Sequence, residues 1–339
     1  MAKILVTGGC GYIGSHTIVD LINNGFEVVS IDNLSRSQAS ILDGVKKITG
    51  KEIQNFEVDL SNDGELKSIY KDLKDIDGII HFAAYKAVGE SVEHPLLYYK
   101  NNIGSLVNIL EASKALNIPH FVFSSSCTIY GNVQKLPVDE NAPMGMAESP
   151  YGMTKQMGEA IVNDFVKANA DHQSILLRYF NPVGAHYSAE IGELPIGVPA
   201  NLVPYITQTA MGIRQELTIF GDDYDTRDGS CIRDYVHVMD IANAHTKALQ
   251  YMLDGKMQQN CDVFNLGTGN GVSVLEAVAS FEKVNNLSLN YKIGPRRQGD
   301  VVAVYADNSK AIQQLGWQVQ YDLDEMMRSA WEWQKKLSS

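Results

Sequence analysis

The run Lys3-Ile4-Leu5-Val6-Thr7-Gly8-Gly9-Cys10-Gly11-Tyr12-Ile13-Gly14 decides the fold. Its first five residues form a short, mostly apolar run that suits a buried strand. Three glycines follow as Gly8-x-x-Gly11-x-x-Gly14, with Gly9-x-Gly11-x-x-Gly14 as a second register. A helical pattern comes next, with Ile18, Leu21 and Ile22 at helical spacing and Asn24-Gly25 as its stop. Strand, glycine turn and helix in this order make a phosphate-binding turn. One glycine makes the tight turn, one lets the backbone approach a pyrophosphate, and one lets helix and strand pack closely. The helix N-terminus then offers free N–H groups to the phosphates.

Outward from this turn, strands are expected at Glu27–Asp32, Asn55–Asp59, Gly78–Ala83, His120–Ser125 and Ser174–Phe180. The mostly apolar run Gly78–Ala83 suits a strand covered on both faces. Helical patterns lie between, one with Ile103, Leu106, Val107 and Leu110 on one face. The alternation predicts an α/β fold, a doubly wound parallel sheet of Rossmann type. Asp32 ends the second strand, where a carboxylate can accept hydrogen bonds from the adenosine ribose and repel an extra phosphate, so NAD is expected over NADP. Arg36 could meet such a phosphate, but Asp32 holds the standard position.

After Asn181-Pro182 the rhythm breaks, and Gly184 to Arg233 is rich in Pro, Gly and Tyr. This begins a second, smaller mixed α/β lobe for substrate. The strand-like run Asp262–Leu266 is expected to return to the main sheet. The expected division is 1–180, joined by about 234–268, as the NAD-binding domain, with 181–233 and 269–339 as the substrate lobe.

A chain of 339 residues is long for one core, which agrees with two lobes. No apolar run reaches membrane-spanning length and no charged-then-apolar leader precedes the first strand, so a cytoplasmic protein is expected. Cys10, Cys127, Cys231 and Cys261 are far apart and form no CxxC pair, which fits reduced, mostly buried thiols and neither a disulfide framework nor a metal site. A net charge of -12 argues against nucleic acid and anionic membrane as partners. Any anionic ligand must be held by local donors.

Ser149-Pro150-Tyr151-Gly152-Met153-Thr154-Lys155 carries the chemistry. Ser149 suits an N-cap and Pro150 the first helical position, so Tyr151 and Lys155 share one helix face. A cation near a phenol favours the phenolate, and bringing an ordinary phenol near pH 7 takes about 4 kcal/mol of differential stabilisation. Lys155 and a positively charged nicotinamide ring are expected to supply it together. Ser124-Ser125-Ser126 ends a strand, where ligands of open α/β sheets sit. Ser126 can hydrogen-bond the substrate oxygen that loses its proton. Ser124 and Ser125 are read as small turn residues.

Further segments complete the pattern: HFAAYKAVGESV around Lys86, FSSSCTIYG around Ser126, LRYFNPVGAH, RDYVHVMD, FNLGTG and RRQGD. With these the chain resembles the extended short-chain dehydrogenase/reductase family over essentially its whole length, and within it the UDP-glucose 4-epimerases. The resemblance implies NAD-dependent inversion at C4 of UDP-hexoses through a transient 4-keto sugar. It implies Tyr151 as base, Lys155 as its tuner and a binder of the nicotinamide ribose, and Ser126 as the residue orienting the substrate hydroxyl. Gly8, Gly11, Tyr12, Ile13 and Gly14 would hold the pyrophosphate, with Asp32 and Asn33 on the adenosine side and Asp59 and Leu60 near adenine. Phe82, Ala83, Lys86 and Asn101 would lie along the cofactor. Asn181, Asn201, Phe220, Arg233, Arg297 and Asp300 resemble the UDP-binding set. In the family the position of Val304 lines the sugar pocket, and valine there implies room for the acetamido group of UDP-GlcNAc and UDP-GalNAc. The family also implies a homodimer through helices near Asn101–Leu116 and Pro150–Asn169. The rivals are a sugar-nucleotide 4,6-dehydratase or decarboxylase of the same superfamily and a non-catalytic NAD-sensing protein. Dehydratases carry an Asp-Glu pair just after the serine or threonine, and decarboxylases a Glu; this chain has Cys127-Thr128.

Overall fold

The computed structural model describes residues 1–133, 135–297 and 300–338. Six strands, β1 (Lys3–Thr7), β2 (Glu27–Ile31), β3 (Asn55–Phe56), β4 (Gly78–His81), β5 (His120–Ser126) and β6 (Gln173–Tyr179), form a parallel sheet with an edge strand Cys261–Leu266. The spatial order is Cys261–Leu266, β6, β5, β4, β1, β2, β3. The late strand therefore returns to the sheet, as expected, and pairs in parallel with β6. The chain moves from β1 toward β3, then crosses back to β4 and continues the other way. The crevice between the ends of β1 and β4 is thus the switch point at which such sheets bind ligands.

Strand ends differ from the sequence expectation for local reasons. β2 stops at Ile31 because the Asp32 carboxylate takes over the following backbone, accepting from Leu34 N at 3.0 Å. β3 has two residues because Asp59 Oδ1 accepts from Ser61 N and Oγ, both at 2.8 Å, and turns the chain. β5 runs on to Ser126. The turn Tyr99–Ile103 is π-helical and leads into a regular helix, Gly104–Ala115. Leu106 and Leu110 are buried, but Val107, expected on the same face, is 37% exposed.

Helix α1 (Tyr12–Asn23) packs on the helix Val238–Leu253, with Ile18, Leu21, Ile241, Ala244 and Ala248 fully buried in one core. The smaller lobe has its own apolar cluster, in which Val183, Ile206, Leu217, Ile219 and Phe281 take part. Its sheet pairs Ile232–Arg233 with both Val272–Ser273 and Ala303–Val304. Ala311, Leu315 and Trp317 belong instead to the large core, where Trp317 Nε1 donates to Asp240 O at 2.8 Å. Among the described residues no helix is long and apolar enough to cross a membrane.

The fully buried Asp234 knits these parts together. Its Oδ1 accepts from Thr268 N at 2.8 Å and Thr268 Oγ1 at 2.6 Å. Its Oδ2 accepts from Gly269 N at 3.2 Å and Ala306 N at 3.0 Å. One carboxylate thereby binds the loop leaving the edge strand to the strand that carries Val304. Asp234→Asn sets an amide N–H against two backbone donors. It should cost about 3 kcal/mol in urea denaturation, and an unchanged midpoint would show the cluster to be dispensable.

Candidate active site

The glycine turn follows from contacts that allow no side chain. A Cβ on Gly14 would stand 2.2 Å from Gly8 O, and one on Gly9 2.2 Å from Ser30 Oγ. Gly8 has φ +71° and its Cβ position is 3.0 Å from Ala83 N, so the turn presses on the end of β4. Gly14 supplies the close packing, and Gly8 supplies the turn. Gly11 is the N-cap of α1, makes no side-chain cap, and would meet only Gly8 O with a Cβ, at 3.1 Å. Its surroundings leave the α1 N-terminus open to an anionic group, which is what a dinucleotide pyrophosphate needs.

The other residues expected along the cofactor surround this crevice. Asp32 Oδ2 accepts from Cys10 N at 3.0 Å, and Oδ1 from Ser37 Oγ at 2.7 Å, so the acid also braces the glycine turn. Asn33 Oδ1 accepts from Ser35 N at 3.1 Å. Arg36 NH2 pairs with Glu90 Oε1 at 2.5 Å and the guanidinium lies 4.9 Å from the Tyr85 ring centre. With its cation so engaged, the case for NADP weakens. Leu60 is buried, and its carbonyl accepts from Asn108 Nδ2 at 2.8 Å. Phe82 N and Ala83 N are tied to Thr7 at the end of β1. Asn101 donates to Asn102, which holds Tyr85 and reaches Thr154 on the helix Pro150–Ala168.

That helix begins as the sequence indicates, with Ser149 Oγ accepting from Gly152 N at 3.1 Å and Pro150 in the first turn. It brings Tyr151 and Lys155 to the end of β5 beside Ser126, and all three are buried. Lys155 Nζ donates to Ser124 O at 2.7 Å and sits 5.9 Å from the centre of the Tyr151 ring. Burial pushes the Tyr151 phenol well above its ordinary value, nearby Tyr179 adds to this, and the Ser126 hydroxyl pulls it partly back. Burial also lowers Lys155, to about 8, against the opposing field of Glu159. Burial thus works against the phenolate, and positive charge brought into the crevice would work for it.

Burial pushes the Cys127 thiol up to about 12, so it is a poor acid–base group. Thr128 Oγ1 is buried with no hydrogen-bond partner among the described residues. Such an orphaned hydroxyl next to Ser126 fits a polar ligand.

Across the crevice, the small lobe gathers most of the set expected to bind UDP. Arg233 NH1 donates to Val301 O at 2.7 Å, and its NH2 lies 3.5 Å from Asp300 Oδ1. Arg297 NH2 pairs with the same oxygen at 2.7 Å, and its guanidinium lies 5.8 Å from the centre of the Phe220 ring, which is 43% exposed. Asn181 N donates to Asp234 O at 2.9 Å, which fixes Asn181 beside Arg233. Val304 pairs in register with Arg233 and is 6% exposed.

Three features escape sequence reasoning. Glu193 Oε1 accepts from Lys86 Nζ at 2.9 Å and Asn201 Nδ2 at 2.8 Å, joining a residue expected at the cofactor to one expected at the substrate. Ser124 and Ser125 are not idle turn residues, since their side chains bond Tyr179 and Glu159. The buried Glu159–Arg178 pair underlies the catalytic helix. Only the Tyr151, Lys155, Glu159 spacing of four hinted at it.

Comparison with known proteins agrees with this geometry. The profile of the family described as GDP-mannose 4,6 dehydratase matches residues 5–330. The UDP-glucose 4-epimerase of Haemophilus influenzae is 47% identical over 332 residues, 98% of this chain and 97% of that protein. The UDP-glucose 4-epimerase of Stenotrophomonas maltophila, solved with NAD and formylated UDP-arabinopyranose, superposes with a TM-score of 0.96 at 43% identity, covering 100% of this chain and 99% of that one. The UDP-Glc/GlcNAc 4-epimerase of Campylobacter jejuni superposes with a TM-score of 0.85 at 36% identity, covering 99% and 100%. The glycine turn, the buried Ser126–Tyr151–Lys155 group and 47% identity over nearly the full length lead to one assignment: the chain belongs to the UDP-glucose 4-epimerase family of extended short-chain dehydrogenase/reductases.

Proposed function

We propose that this protein inverts C4 of UDP-hexoses, interconverting UDP-glucose and UDP-galactose with NAD as a resident cofactor. The observation that carries the reading is the meeting of Ser126, Tyr151 and Lys155 at the strand end beside the glycine turn. Gly8, Gly11, Tyr12, Ile13 and Gly14 hold the pyrophosphate, Asp32, Asn33, Asp59 and Leu60 the adenosine end, and Phe82, Ala83, Lys86 and Asn101 the path between. Arg233 and Arg297 pair with the substrate diphosphate, Asp300 completes the UDP-binding set beside both arginines, Asn181 and Asn201 hydrogen-bond phosphate or sugar, and Phe220 offers an apolar face to uracil. NAD, when bound, supplies reversible hydride acceptance at C4. Tyr151 takes the proton of the sugar 4-hydroxyl while Ser126 orients that oxygen, and Lys155 holds the nicotinamide ribose. The 4-keto sugar turns in the site, so that C4 would take back its hydride on the opposite face while Tyr151 returns the proton to the C4 oxygen. Residues 1–180 with about 234–268 form the cofactor domain, and 181–233 with 269–339 the substrate lobe. Cys127, its thiol pushed up to about 12 by its surroundings, takes no part in the C5–C6 chemistry of a dehydratase.

Heat denaturation of the purified protein should release NAD or NADH, and turnover of UDP-galactose should need no added cofactor. Tyr151→Phe should lower kcat by about 10²- to 10⁴-fold with nucleotide binding retained. Near-normal turnover in that variant would refute the assigned base.

N-acetylated UDP-hexosamines belong to the same proposal. In a paired register Val304 and Arg233 face the same side of their sheet. Tyr305 faces the other side, where its ring crowds Gly271. The Campylobacter jejuni relative acts on both Glc and GlcNAc forms. The parent should therefore epimerise UDP-GlcNAc, and Val304→Tyr should lose that activity while keeping UDP-galactose turnover. A parent inert toward UDP-GlcNAc would end this part of the reading.

A homodimer completes the proposal. Val92, Leu96, Leu97, Val107, Met153 and Met157 are exposed on helices packed side by side, an apolar face that a second copy would cover. With no helix among the described residues able to cross a membrane, a cytoplasmic setting fits. Light scattering should give twice the 37.4 kDa chain mass, and Leu96→Glu with Met157→Glu should halve it. A monomeric parent would overturn the dimer.

A further inference from the structure

Lys155 belongs to a stripe, Tyr151, Lys155 and Glu159, that advances by one turn at each step along a single helix face. At its far end Glu159 is 3% exposed and its oxygens are fully used. Oε1 accepts from Ser125 Oγ at 2.5 Å and Arg178 Nε at 2.9 Å, and Oε2 from Arg178 NH2 at 2.7 Å. The guanidinium continues outward, with NH1 donating to Tyr130 Oη at 2.9 Å and Glu140 O at 3.3 Å. Tyr130 in turn donates to Asn265 Oδ1 at 2.6 Å on the edge strand. The network grips Ser125 on one side of Ser126 and Tyr130 just beyond it on the other.

A buried ion pair of this kind is weak evidence of stability, because desolvating both ions costs about what their attraction returns. Well-packed apolar side chains would serve the core as well. Its placement has a stronger rationale, since it fixes Ser125, the residue before Ser126, holds Tyr130 at the end of the turn that follows, and sets a carboxylate one turn beyond Lys155. The other groups facing Lys155 carry no compensating charge. His81 on β4 is held neutral by burial, its pKa near 3. Burial pushes Tyr179 on β6 to about 12 and Tyr151 higher still. The Phe123 ring on β5 lies 5.1 Å from the ammonium. On the far side of Glu159, Arg178 is paired and the Cys261 thiol is pushed up to about 11.

We infer that Glu159 is a positioning residue for the reaction, acting through Ser125 on the seat of Ser126 and through the helix on the charge of Lys155. This rests on the epimerase reading above. The sign follows from the site. Burial lowers Lys155 to about 8 and Glu159 opposes the fall. Removing its charge lowers Lys155 further, so the ammonium is lost at a lower pH and the alkaline limb of kcat moves down.

The test uses the full chain with its resident cofactor, following kcat and KM for UDP-galactose from neutral to alkaline pH. Glu159→Gln should move the alkaline limb down by about one pH unit with KM within about twofold. It also leaves the buried Arg178 without its carboxylate, which by itself destabilises the fold. Glu159→Gln with Arg178→Met removes both charges. Its thermal midpoint should return toward that of the parent while the limb stays displaced, a separation that a purely structural role would not produce. Ser125→Ala should reduce kcat about three- to tenfold at unchanged KM, since it frees the strand end and leaves the ion pair intact. A folded double variant whose pH profile overlays that of the parent overturns the inference and leaves the epimerase reading standing. A parent inert toward UDP-galactose removes both.

Discussion

The contact between Gly14 and Gly8 O is the constraint on which the rest depends. With 2.2 Å between that oxygen and a Cβ, the helix can start where it does only on a residue without one. The same turn presses Gly8 against Ala83 at the end of β4. Helix α1, β1 and β4 therefore meet at one point, which is also where strand order reverses. The reversal opens a crevice, and the glycines let the backbone line it closely enough to hold a pyrophosphate. Everything that carries chemistry is placed relative to this crevice.

The reacting groups are held by polar wiring in a setting that opposes ionisation. Burial raises Tyr151 and lowers Lys155, so each is pushed toward its neutral form. Positive charge entering the crevice would favour the phenolate. On the facing lobe Arg233 and Arg297 are paired with Asp300, and Lys86 and Asn201 with Glu193. These pairings keep cations from lying unpaired in the cleft of a chain whose net charge is -12.

Much of the fold was legible because its signals are local. The glycine spacing, the Asn24-Gly25 stop, the Ser149-Pro150 start and the Tyr151–Lys155 pair each act within about one or two helical turns, and each appears in the structure as read. The return of the strand near Asp262 was legible too, as an apolar β-rich run. Val107 misled because it lies one residue, about 100°, round the helix from Leu106, and the buried stripe of Leu106, Ile109, Leu110 and Ser113 stops short of it. The length of β3 misled because the carboxylate of Asp59 wins its neighbours' donors from the ladder.

The sequence by itself determined the α/β class, the dinucleotide turn, and the Ser126, Tyr151 and Lys155 group, since periodicity, glycine spacing and capping are properties of neighbours along the chain. Only the tertiary structure decided that Glu193 joins Lys86 to Asn201, that Asp234 binds the edge-strand loop to the strand of Val304, and that Glu159 holds Arg178 and Ser125 beneath the catalytic helix. Most of these partners are tens of residues apart or more, in stretches whose local pattern would suit many other pairings. Their hydrogen bonds exist because the sheet brings strand ends together, and burial then obliges each polar group to find a partner.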